Sequence, residues 1–173
     1  ILNKVPVDKL VKKEKFDIVY NCSAVKHVDI AEENPEQTKK INVDGNIFLA
    51  KTSIKNNVNQ YIFISSDKAL YPKGVMGKTK LESEKKLIKL NSKKTRLKIL
   101  RFPNVLFTTG SILEVIYICI LKKKKFFLKN RNLKRFFVFS NDAVSFIVKA
   151  SLMDVSKKII VLRNVKETKI IDL

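Results

Sequence analysis

A hydroxyl, a carboxylate and an ammonium follow one another at Ser66-Asp67-Lys68, with Ser65 before them and Ala69 after. Groups of these three kinds that converge can shift one another's pKa values and pass protons. They directly follow Tyr61-Ile62-Phe63-Ile64, a β-branched and aromatic run of the kind that forms a buried strand. Open α/β sheets place their ligands at the carboxyl ends of such strands. Val75-Met76-Gly77-Lys78-Thr79-Lys80 comes next, and Met76 and Lys80, four apart, fall on one helix face. A lysine at that spacing can hold ribose hydroxyls. Met76 has no proton to give, so a proton donor's role at that position is vacant. Without further context the same residues also read as a solvated surface loop.

The elements that must position this loop alternate along the chain. The pattern predicts an amphipathic helix over residues 7–15 with Leu10 and Val11 inward, then a strand over Phe16–Cys22. Asn34-Pro35 opens a helix that runs to about Asn57, because proline suits a first turn. The strand Gln60–Ile64 and the Ser65–Lys80 loop follow, then a helix from about Gly77 to Asn91 in which Glu82 and Lys86 pair. Arg96–Phe102 reads as a third strand, Ile112–Leu121 as a buried helix, and Phe126–Leu128 as a short strand. Ser140-Asn141-Asp142 caps a helix through about Met153, and Ile159–Leu162 is a last strand. Strands alternating with helices imply parallel βαβ units, so the fold class is α/β.

The totals set bounds. A chain of 173 residues suits one domain with a real core. No stretch approaches the roughly 18 apolar residues that span a bilayer. The net charge of +20 invites a nucleic-acid reading. Arginine occurs only at 96, 101, 131, 135 and 163, however, and lysines spread along every segment read as solvated helix faces, so no nucleic-acid partner is expected. Cys22 and Cys119 lie in apolar runs and read as core thiols of a reducing cytoplasm. With one histidine and two cysteines, no zinc site is expected.

Further segments could face a ligand. Asn21-Cys22-Ser23-Ala24-Val25-Lys26-His27 follows the first strand, and its small residues allow close backbone approach; an ordinary strand-to-helix loop would look the same. Arg131 and Arg135 could fork a diphosphate or be merely solvated. Lys122–Lys125 complements a helix carboxyl end, with a membrane-surface patch as the minority reading. Glycine occurs only at 45, 74, 77 and 110, so these residues hold no G-x-G-x-x-G phosphate loop.

Taken in order, the segments resemble the extended short-chain dehydrogenase/reductase superfamily. Within it they are similar to the CapD-like polysaccharide-biosynthesis group, the UDP-N-acetylglucosamine 4,6-dehydratases. The carrying residues are Asn21–Val28, Glu32-Glu33-Asn34-Pro35, Ile41–Gly45, Ser65–Ala69, Val75–Lys80, Arg101–Leu106, Gly110-Ser111 and Arg135-Phe136-Phe137. The resemblance implies a Rossmann-like parallel sheet flanked by helices, incomplete because its first βαβ unit and glycine-rich loop would lie upstream of Ile1. Residues 1–173 would then be a partial NAD(P)-binding and nucleotide-sugar dehydratase domain, with substrate-side segments at about 103–140 and 154–173.

The resemblance also implies roles. Ser66, Asp67, Lys68, Met76 and Lys80 would form the catalytic set. Cys22, Ser23, Ala24, Asn42, Ser65, Lys80, Phe102 and Pro103 would line NADP (or NAD), and Lys26, His27, Asn104 and Arg135 would meet a UDP-sugar. The parent would self-associate, with Pro35–Asn57 as a candidate interface, and a membrane anchor could precede this region. Two positions depart from the group: it usually has glycine where Pro103 and Phe107 stand. Those departures keep open a decayed, non-catalytic relative, and an epimerase of the same superfamily is the other alternative.

Overall fold

A computed structural model describes residues 1–128, 130–163 and 165–173. The strands, in chain order, are β1 (Ile18–Asn21), β2 (Gln60–Ser66), β3 (Arg96–Phe102), β4 (Asn104–Val105), β5 (Lys134–Val138), β6 (Lys158–Val161) and β7 (Glu167–Lys169). The α-helices are α1 (Lys4–Glu14), α2 (Val28–Glu33), α3 (Pro35–Lys39), α4 (Asn46–Lys55), α5 (Val75–Ile88), α6 (Ile112–Leu121) and α7 (Ser140–Leu152). The chain divides into two compact units, Ile1–Arg101 with Ala150–Val161, and Phe102–Lys149 with Leu162–Leu173.

The first unit is built on a four-stranded sheet in the order β1-β2-β3-β6, with β1 parallel to β2 and β3 parallel to β6. This is the expected α/β, Rossmann-like arrangement. Tyr61, Ile62 and Phe63 on β2 are all fully buried, as are Ile99 and Leu100 on β3. Consecutive buried residues mean that both sheet faces are covered, the usual state of a parallel sheet. Phe63, Tyr61, Leu97, Ile99, Ala50 and Leu87 form the core cluster. The helix that Pro35 opens runs as α3, a π turn over Lys40–Gly45, and α4. It stops at Asn56 and Asn57, the latter at φ 55°, a left-handed conformation that asparagine tolerates.

Several expectations are corrected in this unit. On α1 only Val11 is buried, while Leu10 is 52% exposed, so the inward face is narrower than two residues. Cys22 is exposed and Cys119 half-buried, so neither thiol belongs to the core. The reading of lysines as solvated also fails at Lys98, which is fully buried. Its Nζ lies 2.9, 3.0 and 2.5 Å from the carbonyls of Ala150, Ser151 and Met153, and 2.8 Å from Gln60 Oε1. Carbonyls left free at the end of a helix carry partial negative charge, so a cation there is stabilised. Burial nevertheless lowers the pKa of Lys98 from its ordinary value.

The second unit holds a three-stranded sheet, β4-β5-β7, parallel between β4 and β5 and antiparallel between β5 and β7. Phe126–Leu128 is not a strand; Lys134–Val138 is. Beta-strand propensity alone did not separate those two Phe-Phe segments, and pairing partners did. Helix α6 has the expected bounds but no buried residue, so it is not a core helix. Its start is capped by Ser111, whose Oγ accepts from Glu114 N, and the Glu114 carboxylate reaches one residue further back to accept from Gly110 N. Helix α7 begins at Ser140 as expected, with the Ser140 hydroxyl donating to the Leu106 carbonyl. Phe102 packs edge-on against Phe146, centroids 5.2 Å apart. No helix among the described residues is long and apolar enough to cross a membrane.

Lys98→Met is expected to lower the free energy of unfolding by about 2–4 kcal/mol, because it strips the α7 carbonyls of their donor. Urea denaturation checks this against Lys12→Met on exposed α1, expected within about 0.5 kcal/mol of the parent.

Candidate active site

Strands β1 and β2 run in parallel register with Asn21 opposite Phe63, so Ser65 and Ser66 stand just past the end of β1. The turn after β1 is shaped by Asn21. Its Oδ1 accepts from the backbone amide and hydroxyl of Ser23, at 3.1 and 2.6 Å, and its Nδ2 donates to Asn46 Oδ1 and Tyr61 Oη, both at 2.9 Å. Tyr61 in turn donates to Asn46 Oδ1 at 2.6 Å, and burial pushes its phenol pKa well up, so it stays a donor. The next residues are held by Asn42. Asn42 Oδ1 accepts from Val25 N at 2.8 Å, while its Nδ2 donates to the Val25 carbonyl and to Thr79 Oγ1, at 3.2 and 3.1 Å. Asn42 lies within the π turn, and its own carbonyl accepts from the Ser83 hydroxyl. One side chain thus braces the Cys22–His27 loop against α5. Wide π turns recur at functional positions for this kind of placement.

At the end of β2, the buried Ser65 hydroxyl donates to Glu84 Oε1 at 2.5 Å. Arg101 forks the same carboxylate, with Nε to Oε1 at 2.9 Å and Nη2 to Oε2 at 2.5 Å. The pairing raises the pKa of Arg101. Ser66 points differently: its hydroxyl donates to Asp67 Oδ1 at 3.0 Å and accepts from Lys68 N at 3.3 Å. The Lys68 ammonium lies 3.6 Å from Asp67 Oδ1, and both side chains are part-exposed. The hydroxyl, carboxylate and ammonium therefore converge where a ligand can reach them.

Helix α5 is pressed onto this loop. Glu32 of α2 accepts from Val75 N at 2.7 Å, which satisfies one of the free amides of the first turn. A Cβ on Gly74 would lie 2.3 Å from that carboxylate oxygen, and a Cβ on Gly77 would lie 2.6 Å from the Lys68 carbonyl. Neither glycine is replaceable without moving the helix or its cap. Met76 and Lys80 are both buried on the face so positioned. Lys80 Nζ donates to the Ile64 carbonyl at 2.7 Å and sits 4.6 Å from the Phe63 ring centroid. Burial pushes the Lys80 pKa down to about 8, against the opposing pull of Cys22 and Glu84. The Cys22 thiol is raised by desolvation, with Lys80 acting the other way.

Of the residues singled out in the sequence, the first unit brings together the loop of Cys22, Ser23, Ala24, Lys26 and His27 with Asn42, Ser65, Ser66, Asp67, Lys68, Met76 and Lys80. The second unit holds Phe102, Pro103, Asn104 and Arg135. There Asn104 Nδ2 donates to the Phe136 carbonyl at 3.0 Å, and exposed Arg135 donates to the Lys134 carbonyl at 2.8 Å. Glu84, Arg101 and Thr79 were missed. The signal for Glu84 was its place four residues after Lys80, on the same face of the helix. Phe107 has φ 56° and stacks on Phe139 with centroids 6.4 Å apart, so a bulky residue holds a left-handed position that favours glycine.

The pattern of the family described as "Polysaccharide biosynthesis protein" matches residues 1–173. Among curated relatives, an uncharacterized membrane protein of Methanocaldococcus jannaschii is 36% identical over 154 residues, covering 87% of this chain and 46% of that protein. A UDP-N-acetylglucosamine 4,6-dehydratase (inverting) of Campylobacter jejuni is 31% identical, over 80% of this chain and 43% of the enzyme. A UDP-glucose 4-epimerase of Rickettsia canadensis is 30% identical, over 78% and 40%. The crystal structure of DesIV, a dTDP-glucose 4,6-dehydratase of Streptomyces venezuelae with NAD and TYD bound, superposes with a TM-score of 0.88 at 14% identity, over 99% of this chain and 58% of that one. This chain spans less than half the length of each of these curated relatives.

Glu84→Ala is expected to cost about 2–4 kcal/mol of stability, since it takes the shared acceptor from Ser65 and from the part-buried Arg101. Asp67→Asn, at a part-exposed pair, is expected to cost no more than about 1 kcal/mol. Urea midpoints of the two variants check the contrast. Lys80 titrates near 10.5 when unfolded and near 8 when folded, so between those values the unfolded chain binds more protons and stability rises with pH. Lys80→Met is expected to abolish that component of the rise, measured as the difference in unfolding free energy from the parent across the window.

Proposed function

Since this chain belongs to the polysaccharide biosynthesis protein family, we propose that it carries the catalytic part of a nicotinamide-dependent nucleotide-sugar 4,6-dehydratase acting on UDP-N-acetylglucosamine. The observation that supports this most is the Ser66–Asp67–Lys68 cluster at the carboxyl end of β2, with hydroxyl to carboxylate at 3.0 Å and carboxylate to ammonium at 3.6 Å. It is the only part of the site where a donor, an acid and a base meet in reach of solvent among the described residues. The dehydratase relative from Campylobacter jejuni supports the same reading.

The residues present fit the nicotinamide-ribose end of a dinucleotide. Exposed Cys22 and Ser23 and half-buried Ala24 leave the strand ends open to close approach, and Lys80 stands beneath them. A glycine-rich turn for the pyrophosphate is absent from residues 1–173. NADP or NAD, when bound, supplies a hydride acceptor at the start of the cycle and a hydride donor at its end. Ser66 would hydrogen-bond the C4 oxygen of the sugar, and the Asp67 carboxylate would take its proton as C4 is oxidised to the ketone. The ketone would acidify the C5 hydrogen, which Lys68 in its neutral amine form would remove, while Asp67 would pass the proton it took to the C6 hydroxyl as it leaves as water. Lys68 would return its proton to C5 as C6 is reduced, giving a 4-keto-6-deoxy sugar. Met76 contributes bulk but no proton. Lys26, His27, Asn104 and Arg135 are assigned to the UDP-sugar, and Asn42 and Ser65 hold the cofactor-side loops in place rather than touching the reacting atoms.

Incubating the full-length gene product with UDP-N-acetylglucosamine and NADP is expected to yield a product lighter by one water, followed by mass spectrometry. Asp67→Asn and Lys68→Met are each expected to reduce turnover by about 10²–10⁴-fold while leaving cofactor affinity nearly unchanged. A product of unchanged mass would favour the epimerase reading that the Rickettsia canadensis relative raises. Turnover within a few-fold of the parent in both variants would remove Asp67 and Lys68 from the mechanism.

A further inference from the structure

Lys80 and Glu84 stand one turn apart on α5, and both are buried. More than the helix joins them. The Lys80 ammonium donates to the Ile64 carbonyl at 2.7 Å, and the hydroxyl of the next residue on β2, Ser65, donates to Glu84 Oε1 at 2.5 Å. Ammonium, peptide, hydroxyl and carboxylate thereby close a ring between α5 and the end of β2. Arg101 on β3 grips both oxygens of that carboxylate, at 2.9 and 2.5 Å, so Glu84 cannot turn without breaking the bonds of three donors. The peptide that receives Lys80 is consequently held in place from Glu84.

The same carboxylate is set apart among the charges around Lys80. Burial lowers the Lys80 pKa to about 8, and Cys22 from the loop after β1 and Glu84 from α5 pull the other way. Burial also raises the Cys22 thiol from its ordinary value of 9.0, so near pH 8 it is neutral and exerts no such pull. Asp67 and Lys68 on the loop after β2 pair with each other at 3.6 Å, and Arg101 is bound to Glu84 itself. Glu84 is the anion left to act on Lys80. A buried ammonium that is to donate to a ligand has to keep its proton, and a fixed anion one turn away favours that.

We propose that Glu84 is the positioning residue of Lys80: through Ser65 it holds the carbonyl on which the ammonium rests, and its carboxylate is the standing counter-charge. The inference rests on the proposed function for what Lys80 then does, which is to donate to the hydroxyls of the cofactor ribose. Glu84 acts only through Lys80.

In the full-length gene product carrying isotope-labelled lysine, nuclear magnetic resonance follows the titration of Lys80, whose signal is the one lost in Lys80→Met. Glu84→Gln keeps an oxygen for Ser65 and removes the charge. It is expected to lower the proton affinity of Lys80 at least about threefold. Cys22→Ser is expected to leave that affinity within about twofold of the parent. Binding of NADP gives a second readout. Near pH 8, where Lys80 titrates, Glu84→Gln is expected to bind at least about twofold more weakly than the parent. At about pH 6, with Lys80 protonated in both, the two are expected to bind alike, whereas a structural loosening would weaken binding at both pH values. Ser65→Ala leaves the charge and breaks the tie, so it is expected to weaken NADP binding at least about threefold at either pH.

Should Glu84→Gln not give the parent's circular dichroism, Glu84→Gln with Arg101→Gln carries the test, since it leaves no charge buried without its partner. Loss of the Arg101 cation by itself would raise the proton affinity of Lys80, so a fall in the double variant comes from Glu84. The inference is overturned if the Lys80 titration stays in place without Glu84, or if Cys22→Ser lowers it as far. It is overturned equally if Ser65→Ala binds NADP as the parent does. A parent that binds no NADP would remove the proposed function but not this inference, which the Lys80 titration then decides by itself.

Discussion

Everything near the proposed catalytic loop is referred to one buried carboxylate. Glu84 is 1% exposed and receives Ser65 from β2 and a two-point fork from Arg101 on β3. A charge in that position is tolerated only if its lone pairs are met, and here three donors meet them. Apolar residues of similar volume can stabilise a core as well as such a pair does, so bulk stability does not explain it. Geometry does: three fixed directions converge on one point of α5 and set its rotation about its own axis. Because Lys80 lies one turn before Glu84 and Met76 one turn before that, the same rotation decides which side chains face the strand ends.

The two buried lysines solve one problem in different ways. Lys98 is surrounded by helix-end carbonyls, whose partial charges substitute for water. Lys80 has one carbonyl and the face of Phe63. That is a thinner replacement for hydration, and its pKa falls to about 8 accordingly. A lysine so placed is held in position by fewer oxygen partners than Lys98 has.

Where a signal was local, the sequence disclosed it. Strand β3 has the limits that its apolar run indicated, and α6 those set by the polar residues around it. The Ser66–Asp67–Lys68 cluster was visible because its members are adjacent. Non-local features were not. Hydrophobicity made α6 look like a core helix, but burial depends on what packs against it, which no property of ILEVIYICIL encodes. Strand β7 consists of Glu167-Thr168-Lys169 and exists only because β5 offers it hydrogen bonds. Phe126–Leu128 had the better strand composition and found no partner. Lys98 looked like any other lysine of a strongly basic chain. The π turn left no mark in periodicity, since it displaces the helix by a single residue.

That one residue has a consequence for how the chain can change. A π turn is one residue more than α-helical geometry needs, so deleting any single position in Lys40–Gly45 would leave a regular helix of nearly the same length. The flanking helices would keep their relative orientation, because six residues of a π turn go about as far round the axis as five of an α-helix. Asn42 would nevertheless lose the widened turn that sets it against Val25, Thr79 and Ser83, and the loop after β1 would lose its brace. The length of this segment is therefore constrained by the loop it holds and not by the helix it belongs to, a constraint that a comparison of helical propensities would never reveal.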